Sequence, residues 1–230
     1  MKQIIVVTNQ KGGAGKTTTA LSLINALHMR GFRVLGVDLD PQGSLGYSAG
    51  LDIERGATVY EVLKGEVSIR QAIVQTELGD ILPSNILLST ADVEFPARGR
   101  EYLLRTELSK VEGRYEYVVI DTPPALNVLT VNAYVAADSL IIPMAPEILS
   151  LLGISQIRET IETVQRDYNP NLKVLGILLN RFNSRLTLNR EVEELAGQVA
   201  RMLGSKVFQT KIHTSVSVAE APAHGQSVLT

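Results

Sequence analysis

Short apolar runs alternate with longer stretches of helical periodicity along most of this chain. The apolar runs are rich in valine, isoleucine and leucine, a composition typical of β-strands. They predict strands at Gln3–Thr8, Arg33–Val37, Asp80–Leu82, Tyr117–Ile120, Ser139–Ile142 and Lys173–Leu179. The run Val118–Ile120 is apolar at every position, which is typical of parallel strands that are covered on both faces of a sheet.

Three of the other stretches place apolar side chains on one face of a helix. These faces are formed by Ala20, Leu23, Ile24 and Leu27; by Ile154, Ile157, Ile161, Val164 and Tyr168; and by Val192, Leu195, Ala196, Val199, Met202 and Leu203. We interpret all three as core packing. The alternation predicts an α/β fold with a mostly parallel sheet flanked by helices on both faces. Because no linker, repeat or low-complexity tract interrupts it, we predict one domain over residues 1–230.

Composition narrows the possible functions. The chain has 230 residues, enough to bury a core, and no cysteine, which excludes disulfides, cysteine-ligated zinc and thiolate-held iron–sulfur clusters. Its 22 basic and 24 acidic residues give a net charge of −2, so bulk charge forces no attraction to nucleic acid. No apolar stretch approaches the ~20 residues of a membrane span. The chain starts with a strand pattern instead of a secretion signal, so we expect a cytoplasmic protein.

The segment Lys11–Thr17, with the sequence Lys-Gly-Gly-Ala-Gly-Lys-Thr, joins the first predicted strand to a helical pattern. A glycine-rich turn in this position lets backbone N–H groups surround a polyphosphate at a helix N-terminus. We expect Lys16 to reach the β- and γ-phosphates and the Thr17 hydroxyl to bind Mg²⁺. Gln10 replaces the first glycine of the usual phosphate loop, and Lys11 is a second lysine that an ordinary loop does not need.

Three aspartates follow predicted strands. Asp38 and Asp40 come after one apolar run, and Asp121 comes after another. In open α/β sheets ligands bind beyond the carboxyl ends of the strands, so the three carboxylates should lie near the phosphates. Asp121 is placed to hold Mg²⁺ through a bound water, and of Asp38 and Asp40 one can join the metal shell while the other orients attacking water. A lone aspartate after a strand is often only an N-cap or turn residue.

These motifs resemble those of the ParA/MinD ATPases with a deviant Walker A loop, and most closely the small, Soj-like ParA proteins that partition chromosomes and plasmids. The resemblance covers Lys11–Thr18, Val37–Gly43, Asp121–Pro124, Asn132-Ala133, Ala136–Ser139, Ile142-Pro143 and Glu220–Gly225. It spans almost the whole chain. It implies a P-loop NTPase fold with ATP and Mg²⁺ as cofactors.

The resemblance also implies roles for the matched residues. Lys11 would reach across a homodimer to the phosphates of the partner's ATP, much as an arginine finger does. Asp40 matches the aspartate linked to the hydrolytic water, and Asp38 matches its neighbour near Mg²⁺. Asn180 stands where related proteins often recognise adenine, although a strand-end asparagine is otherwise an ordinary turn residue. The implied nucleotide-binding set is Lys11, Gly12, Gly13, Ala14, Gly15, Lys16, Thr17, Thr18 and Asn180, and the implied metal set is Thr17, Asp38 and Asp121.

Relatives in this family bind DNA without sequence preference through a few basic surface residues. Arg185 stands where Soj-like proteins carry one of them, and Arg181 is nearby in the sequence. Thr214 and Ser217 occupy positions where relatives are basic, which leaves Lys211 as a substitute. Affinity for phosphate backbones rises with the number of charges engaged. We therefore expect a weakened or relocated DNA surface formed by Arg185, Arg181 and Lys211.

The hypothesis that follows is an ATP-driven dimerisation switch. Two subunits would enclose two ATP molecules, the dimer would bind DNA, and hydrolysis would release it. We expect slow turnover until a ParB-like or other adaptor protein stimulates it, and association with the nucleoid.

Two other functions stay open. A MinD-like membrane-cycling ATPase is disfavoured because the sequence stops at Thr230, where relatives usually continue into a last helix, and because no amphipathic basic segment is found there. We accordingly expect no membrane partner. The second is a metabolic ligase with the same loop. Lys11 and the run Asp38–Gly43 fit the partition ATPases better than such a ligase.

Overall fold

The computed structural model describes residues 1–95, 98–183 and 185–215. Its strands are β1 (Gln3–Val7), β2 (Val34–Asp38), β3 (Val74–Thr76), β4 (Gly79–Leu82), β5 (Tyr117–Asp121), β6 (Ser139–Met144), β7 (Lys173–Phe182) and β8 (Ile212–His213). Its helices are α1 (Lys16–Met29), α2 (Ser44–Ser48), α3 (Val59–Lys64), α4 (Ile69–Ala72), α5 (Ala91–Glu94), α6 (Leu103–Ser109), α7 (Val128–Ala136), α8 (Ile148–Asp167) and α9 (Thr187–Met202), with 3₁₀ turns at Ile86–Thr90 and Arg100–Tyr102. Ser217, the stretch Glu220–Gly225 and the end of the chain at Thr230 lie outside the described residues.

The strands form one sheet in the order β3-β4-β2-β5-β1-β6-β7-β8. All neighbouring strands run parallel except β3 and β4, which are antiparallel. This confirms the predicted fold class. Because β5 lies between β1 and β2, Asp121 is in register with Val7 on one side and with Asp38 on the other. The carboxyl ends of the three strands therefore meet beside the start of α1.

Both faces of the sheet are buried. Neighbouring residues of a strand point to opposite faces, and they enter two separate apolar clusters: Val6 and Val118 belong to the larger cluster, Val7 and Val119 to the smaller. Helices α1 and α2 contribute Ile24 and Leu45 to the smaller cluster, while α3 and α6 to α9 pack in the larger one. This covering explains why the central strands are apolar at every position.

The six predicted strands are all present, with ends that differ by one to three residues. The largest difference is at β7, which continues to Phe182, so Asn180 lies inside the strand instead of after it. The short edge strands β3 and β8 were not predicted, because two or three residues carry too little periodicity to be recognised.

Candidate nucleotide site and basic surface

The loop between β1 and α1 needs glycine for steric reasons. Gly13 and Gly15 have φ angles of 70° and 85°, a left-handed conformation that side chains rarely adopt. A Cβ atom at position 15 would also lie 2.5 Å from Nδ2 of Asn180. The glycines therefore let the loop turn sharply while β7 packs directly against it.

Asn180 reaches the loop from β7. Its Nδ2 donates hydrogen bonds to the carbonyl oxygen of Ala14 at 3.0 Å and to the hydroxyl of Thr19 at 3.4 Å. Its Oδ1 is buried and has no hydrogen-bond partner among the residues that the structure describes. A buried acceptor without a donor is unfavourable, so this oxygen is a candidate to accept a hydrogen bond from a bound ligand.

Asn9 holds the beginning of the loop, a contact that the sequence did not predict. Its buried Nδ2 donates to the carbonyl oxygen of Pro143 at 2.6 Å, and its Oδ1 accepts from the N–H of Lys11 at 2.9 Å. The loop is thus tied to the end of β6 on one side and to β7 on the other. Both ties join residues more than 130 positions apart, which is why local patterns could not reveal them.

Lys16 and Thr17 begin α1 and face the carboxyl end of β5. The hydroxyl of Thr17 donates to Oδ2 of Asp121 at 2.6 Å, and Nζ of Lys16 lies 3.4 Å from the carbonyl oxygen of Lys11. Burial lowers the pKa of Lys16, although the charges of Asp121 and Asp40 oppose this shift. The structure therefore brings Lys16, Thr17 and Asp121 together as the loop motif predicts.

Asp121 is fully buried. Burial raises its pKa to about 7, against the hydrogen bond from Thr17 and the positive charge of Lys16. Within the described part of the chain, its Oδ1 has no hydrogen-bond partner. A buried carboxylate oxygen in this state is suited to a cation or to a water bound to one.

Asp38 has a different environment from Asp121. Its Oδ1 accepts from the N–H of Asp40 at 3.0 Å, and its Oδ2 accepts from the N–H groups of Leu45 and Gly46 at 2.9 and 3.3 Å. Burial and the neighbouring charge of Asp121 raise its pKa well above the usual value. Because both oxygens already hold the backbone between β2 and α2, this geometry favours a structural role for Asp38 over direct binding of Mg²⁺.

Asp40 is half-buried in the same loop, and its Oδ1 accepts from the N–H of Gln42 at 3.0 Å. Its charge acts on both Lys16 and Asp121, which places it beside the phosphate loop. Among the residues that the structure describes, no three Asp, Glu, His or Cys side chains gather into a metal site of their own. A site for Mg²⁺ here would combine Thr17 and Asp121 with phosphate oxygens and water, the usual set for this ion.

Lys11 lies at the outer side of the loop and pairs with Glu147, which stands between β6 and α8. Arg181 of β7 donates from Nη2 to the carbonyl oxygen of Gly13. Neither contact was predicted from the sequence. Glu147 follows the carboxyl end of a strand, as the three aspartates do, and that position is the signal by which it could have been found.

The three basic residues predicted to bind DNA lie in different environments. Arg181 contacts the phosphate loop through the carbonyl oxygen of Gly13, and its part in DNA binding stays a prediction. Arg185 is exposed between β7 and α9, next to the exposed Leu186. Lys211 forms an ion pair of 2.5 Å with Glu193 and lies 4.4 Å from the ring centre of Phe182. Arg181 and Arg185 are thus both exposed, whereas Lys211 is half-buried.

Two other sequence expectations concern this region. Thr214 is exposed, and Ser217 is outside the described residues. Across residues 1–95, 98–183 and 185–215, no helix has the length and hydropathy that crossing a bilayer requires.

Comparison with known proteins gives a family match over most of the chain and relatives that cover nearly all of it. A family model described as "AAA domain" matches residues 2–174. The chain is 42% identical over 235 residues to the chromosome partitioning protein ParA of Caulobacter vibrioides, covering 99% of this chain and 86% of that protein. It is 39% identical over 235 residues to the sporulation initiation inhibitor protein Soj of Bacillus subtilis, covering 100% and 91%.

A solved structure also matches closely. Cobyrinic acid a,c-diamide synthase from Mycobacterium smegmatis, with bound ADP and magnesium, has a TM-score of 0.86 and 40% identity to this chain. The match covers 100% of this chain and 94% of that one.

Proposed function

Since this chain belongs to the ParA/Soj family of positioning ATPases, we propose that it is an ATP-dependent dimerisation switch. Two subunits bind Mg-ATP, pair face to face, and attach to DNA without sequence preference. Hydrolysis separates the subunits and releases the DNA. The protein acts in the cytoplasm at the nucleoid, where it segregates or positions DNA or a protein cargo.

The observation that carries the nucleotide part is the meeting of Lys16, Thr17 and Asp121 at one end of the sheet. Lys16 binds the β- and γ-phosphates, and Thr17 and Asp121 hold Mg²⁺. The cofactors are ATP and Mg²⁺, and the relative from Mycobacterium smegmatis was solved with ADP and magnesium. Mg²⁺ supplies positive charge that offsets the charge developing on the phosphoryl group.

The remaining residues of the site orient the attacking water, recognise adenine and contact the partner's phosphates. Asp40, held at the loop by its own backbone contacts, positions the attacking water. The unpaired Oδ1 of Asn180 accepts a hydrogen bond from the adenine amino group, while its Nδ2 stays on Ala14. Lys16 binds the phosphates of its own subunit. Lys11 lies at the outer side of the loop, where it brings a positive charge to the phosphates of the partner subunit.

Asp40 is the single candidate for activating water. We therefore propose a cycle that is slow until an adaptor protein stimulates it. Aspartate is a weak general base at neutral pH, so one such residue gives a low basal rate. An adaptor of the ParB type would raise this rate by completing or reordering the site. The identity of the cargo is set by that adaptor and not by the nucleotide site.

DNA binding with and without nucleotide tests the proposal. Wild type should bind a random-sequence duplex tightly with Mg-ATP and weakly with ADP or no nucleotide. Lys16→Ala should lose the ATP effect, and Arg185→Ala should weaken DNA binding while ATP binding is retained. If ATP adds no DNA affinity to wild type, the DNA part of the proposal is wrong.

Asp40→Ala separates hydrolysis from pairing. We expect this variant to bind Mg-ATP normally and to accumulate as a dimer, because the phosphates are held while water is no longer oriented. Gel filtration and phosphate release measure the two steps. A variant that stays monomeric with unchanged turnover would contradict the role of Asp40.

The name of the Mycobacterium smegmatis structure, a diamide synthase, favours a second candidate, an ATP-dependent ligase. The two candidates differ in what stimulates ATP turnover. A partition ATPase should respond to DNA and adaptor protein, whereas a ligase should respond to a carboxylic acid with ammonia or glutamine. The run Asp38–Gly43 and the second loop lysine support the first candidate.

A further inference from the structure

The partner of Lys11 lies within its own subunit. Its ammonium group is paired with the carboxylate of Glu147, 136 positions away in the sequence. The contact exists because β6, which precedes Glu147, is the neighbour of β1, which precedes the loop. The side chain of Lys11 is 32% exposed and that of Glu147 is 51% exposed, so solvent and an approaching subunit can reach the pair.

Arg181 is a second cation whose charge acts on Glu147. Its guanidinium group is fixed on the carbonyl oxygen of Gly13 in the phosphate loop. Hydrogen bonding and charge from Lys11 lower the pKa of Glu147, and the charge of Arg181 lowers it further. Among the described residues, Arg181 is the only non-glycine residue with a positive φ, at 53°. A conformation of this kind persists only where surrounding contacts support it, and such residues cluster at functional sites.

We propose that Glu147 is a positioning residue that retains Lys11 on its own subunit and thereby sets the concentration at which two subunits pair. The inference rests on the proposed function, in which Lys11 serves the partner's nucleotide. Before Lys11 binds those phosphates, it exchanges the carboxylate of Glu147 for a phosphate oxygen. The charge of Arg181 still acts on Glu147 after the exchange and balances its charge.

The expected change in the dimer dissociation constant follows from the solvent exposure of the ion pair between Lys11 and Glu147. A solvent-accessible ion pair changes an equilibrium constant by about two- to fivefold. A symmetric dimer releases two such pairs, so the factors multiply. Glu147→Gln should therefore lower the dimer dissociation constant by about four- to 25-fold.

Two measurements test this with full-length protein. Sedimentation velocity with Mg²⁺ and a slowly hydrolysed ATP analogue gives the dimer dissociation constant of wild type and Glu147→Gln. Acetylation of lysines by a limiting reagent, followed by mass spectrometry, gives the reactivity of Lys11 in the nucleotide-free protein. Glu159→Gln is the matched control, because Glu159 is an exposed glutamate on α8, the helix that follows Glu147.

The expected result is tighter pairing and faster acetylation of Lys11 in Glu147→Gln, with Glu159→Gln unchanged in both. Faster acetylation with equal or weaker pairing would overturn the inference, since Glu147 would then not oppose dimerisation. Unchanged acetylation would overturn it as well. If wild type fails to pair with any ATP analogue, the proposed function fails instead, and the acetylation result still reports on the contact itself.

Discussion

At the scale of single residues, the candidate site is held in place by its own chain before any ligand binds. Asp38 has both oxygens on backbone N–H groups, and Asn180 holds the loop at Ala14. Two buried oxygens of the site, Oδ1 of Asp121 and Oδ1 of Asn180, have no hydrogen-bond partner in residues 1–95, 98–183 and 185–215. A site arranged in this way needs little reorganisation when charge develops during reaction, which is the main requirement for electrostatic stabilisation.

Replacing Asp121 with asparagine should stabilise the metal-free protein at high pH. The pKa of Asp121 is about 7 in the fold and its ordinary value is 3.8, so between these values the folded state keeps a proton that the unfolded state has lost. Raising the pH through this range therefore lowers the free energy of unfolding of wild type. We expect Asp121→Asn to be about 1–3 kcal/mol more stable than wild type at pH 8, with the difference shrinking as the pH falls and nearly gone at pH 3.

Urea unfolding in the presence of a chelator measures this difference. With ATP bound, the Asp121→Asn variant should have about 10- to 100-fold lower affinity for Mg²⁺, because an uncharged amide replaces the carboxylate of Asp121. Identical pH dependence in both proteins would contradict the assignment of a buried, ionisable Asp121.

The two neighbouring arginines should separate by function. Arg181→Ala removes the hydrogen bond to Gly13, and we expect ATP binding to weaken about three- to tenfold in the absence of DNA. Arg185→Ala should leave ATP binding unchanged and reduce the salt dependence of DNA binding by about one phosphate contact per subunit. Titration of fluorescent ATP and of DNA at several salt concentrations gives both values. The reverse pattern would assign Arg181 to the DNA surface.

At the scale of elements, short helices depend on their caps. Helix α3 has six residues and begins at Thr58, whose hydroxyl accepts from the N–H of Tyr60. The hydroxyl and the N–H of Thr58 both donate to Glu61, at 2.7 and 2.8 Å. Although partial burial raises the pKa of Glu61, these hydrogen bonds lower it overall. This reciprocal cap fixes the helix on the face opposite α1.

Thr58→Ala should destabilise the protein by about 1–2 kcal/mol at pH 7, because it removes the hydrogen bond that the hydroxyl accepts from Tyr60 and the one that it donates to Glu61, while the N–H of residue 58 still donates to Glu61. Thr58→Ser keeps the hydroxyl and should stay within about 0.5 kcal/mol of wild type. The pKa of Glu61 is depressed in the fold, so its contribution is present above about pH 4.5 and is lost as the pH falls through the folded value. Denaturant unfolding at pH 7 and pH 3.5 should show the alanine variant's deficit shrinking at the lower pH.

The sequence predicts the long elements well and the short ones poorly. Central strands and α1 carry enough apolar periodicity, and the glycine loop fixes where strand and helix meet. Helices of four to six residues, such as α4 and α5, carry too little apolar periodicity to be recognised in the sequence. In the site, Lys16, Thr17 and Asp121 follow from local motifs, whereas Glu147 and Arg181 reach the loop only because β6 lies beside β1, and β7 beside β6, in the assembled sheet.

At the scale of the whole molecule, the insertion of β5 between β1 and β2 joins three separate chain segments into one site. That order is not the order of the sequence, and the crossovers make it possible. The prediction of one domain over residues 1–230 stays a prediction. The paired state adds a further level, since each site would contain Lys11 from the other subunit.

Mixing two inactive variants should restore activity if Lys11 acts across the dimer. A Lys11→Ala subunit keeps Asp40, and an Asp40→Ala subunit keeps Lys11, so their heterodimer has one complete site. At equal mixing about half of the dimers are mixed and each has one of two sites, which gives about a quarter of wild-type turnover. Phosphate release from the mixture and from each variant alone measures this. No recovery would show that Lys11 works in its own subunit.

The ends of the sheet have a consequence for how this molecule can associate. The described edge strands, β3 and β8, have only three and two residues, so each edge presents few open backbone groups. When a sheet has a long open edge, a strand of another subunit can pair with that edge at any time, as in fibres. With that permanent route limited, a paired state of the kind proposed above would form through a surface whose chemistry changes during each turnover, and association could be timed.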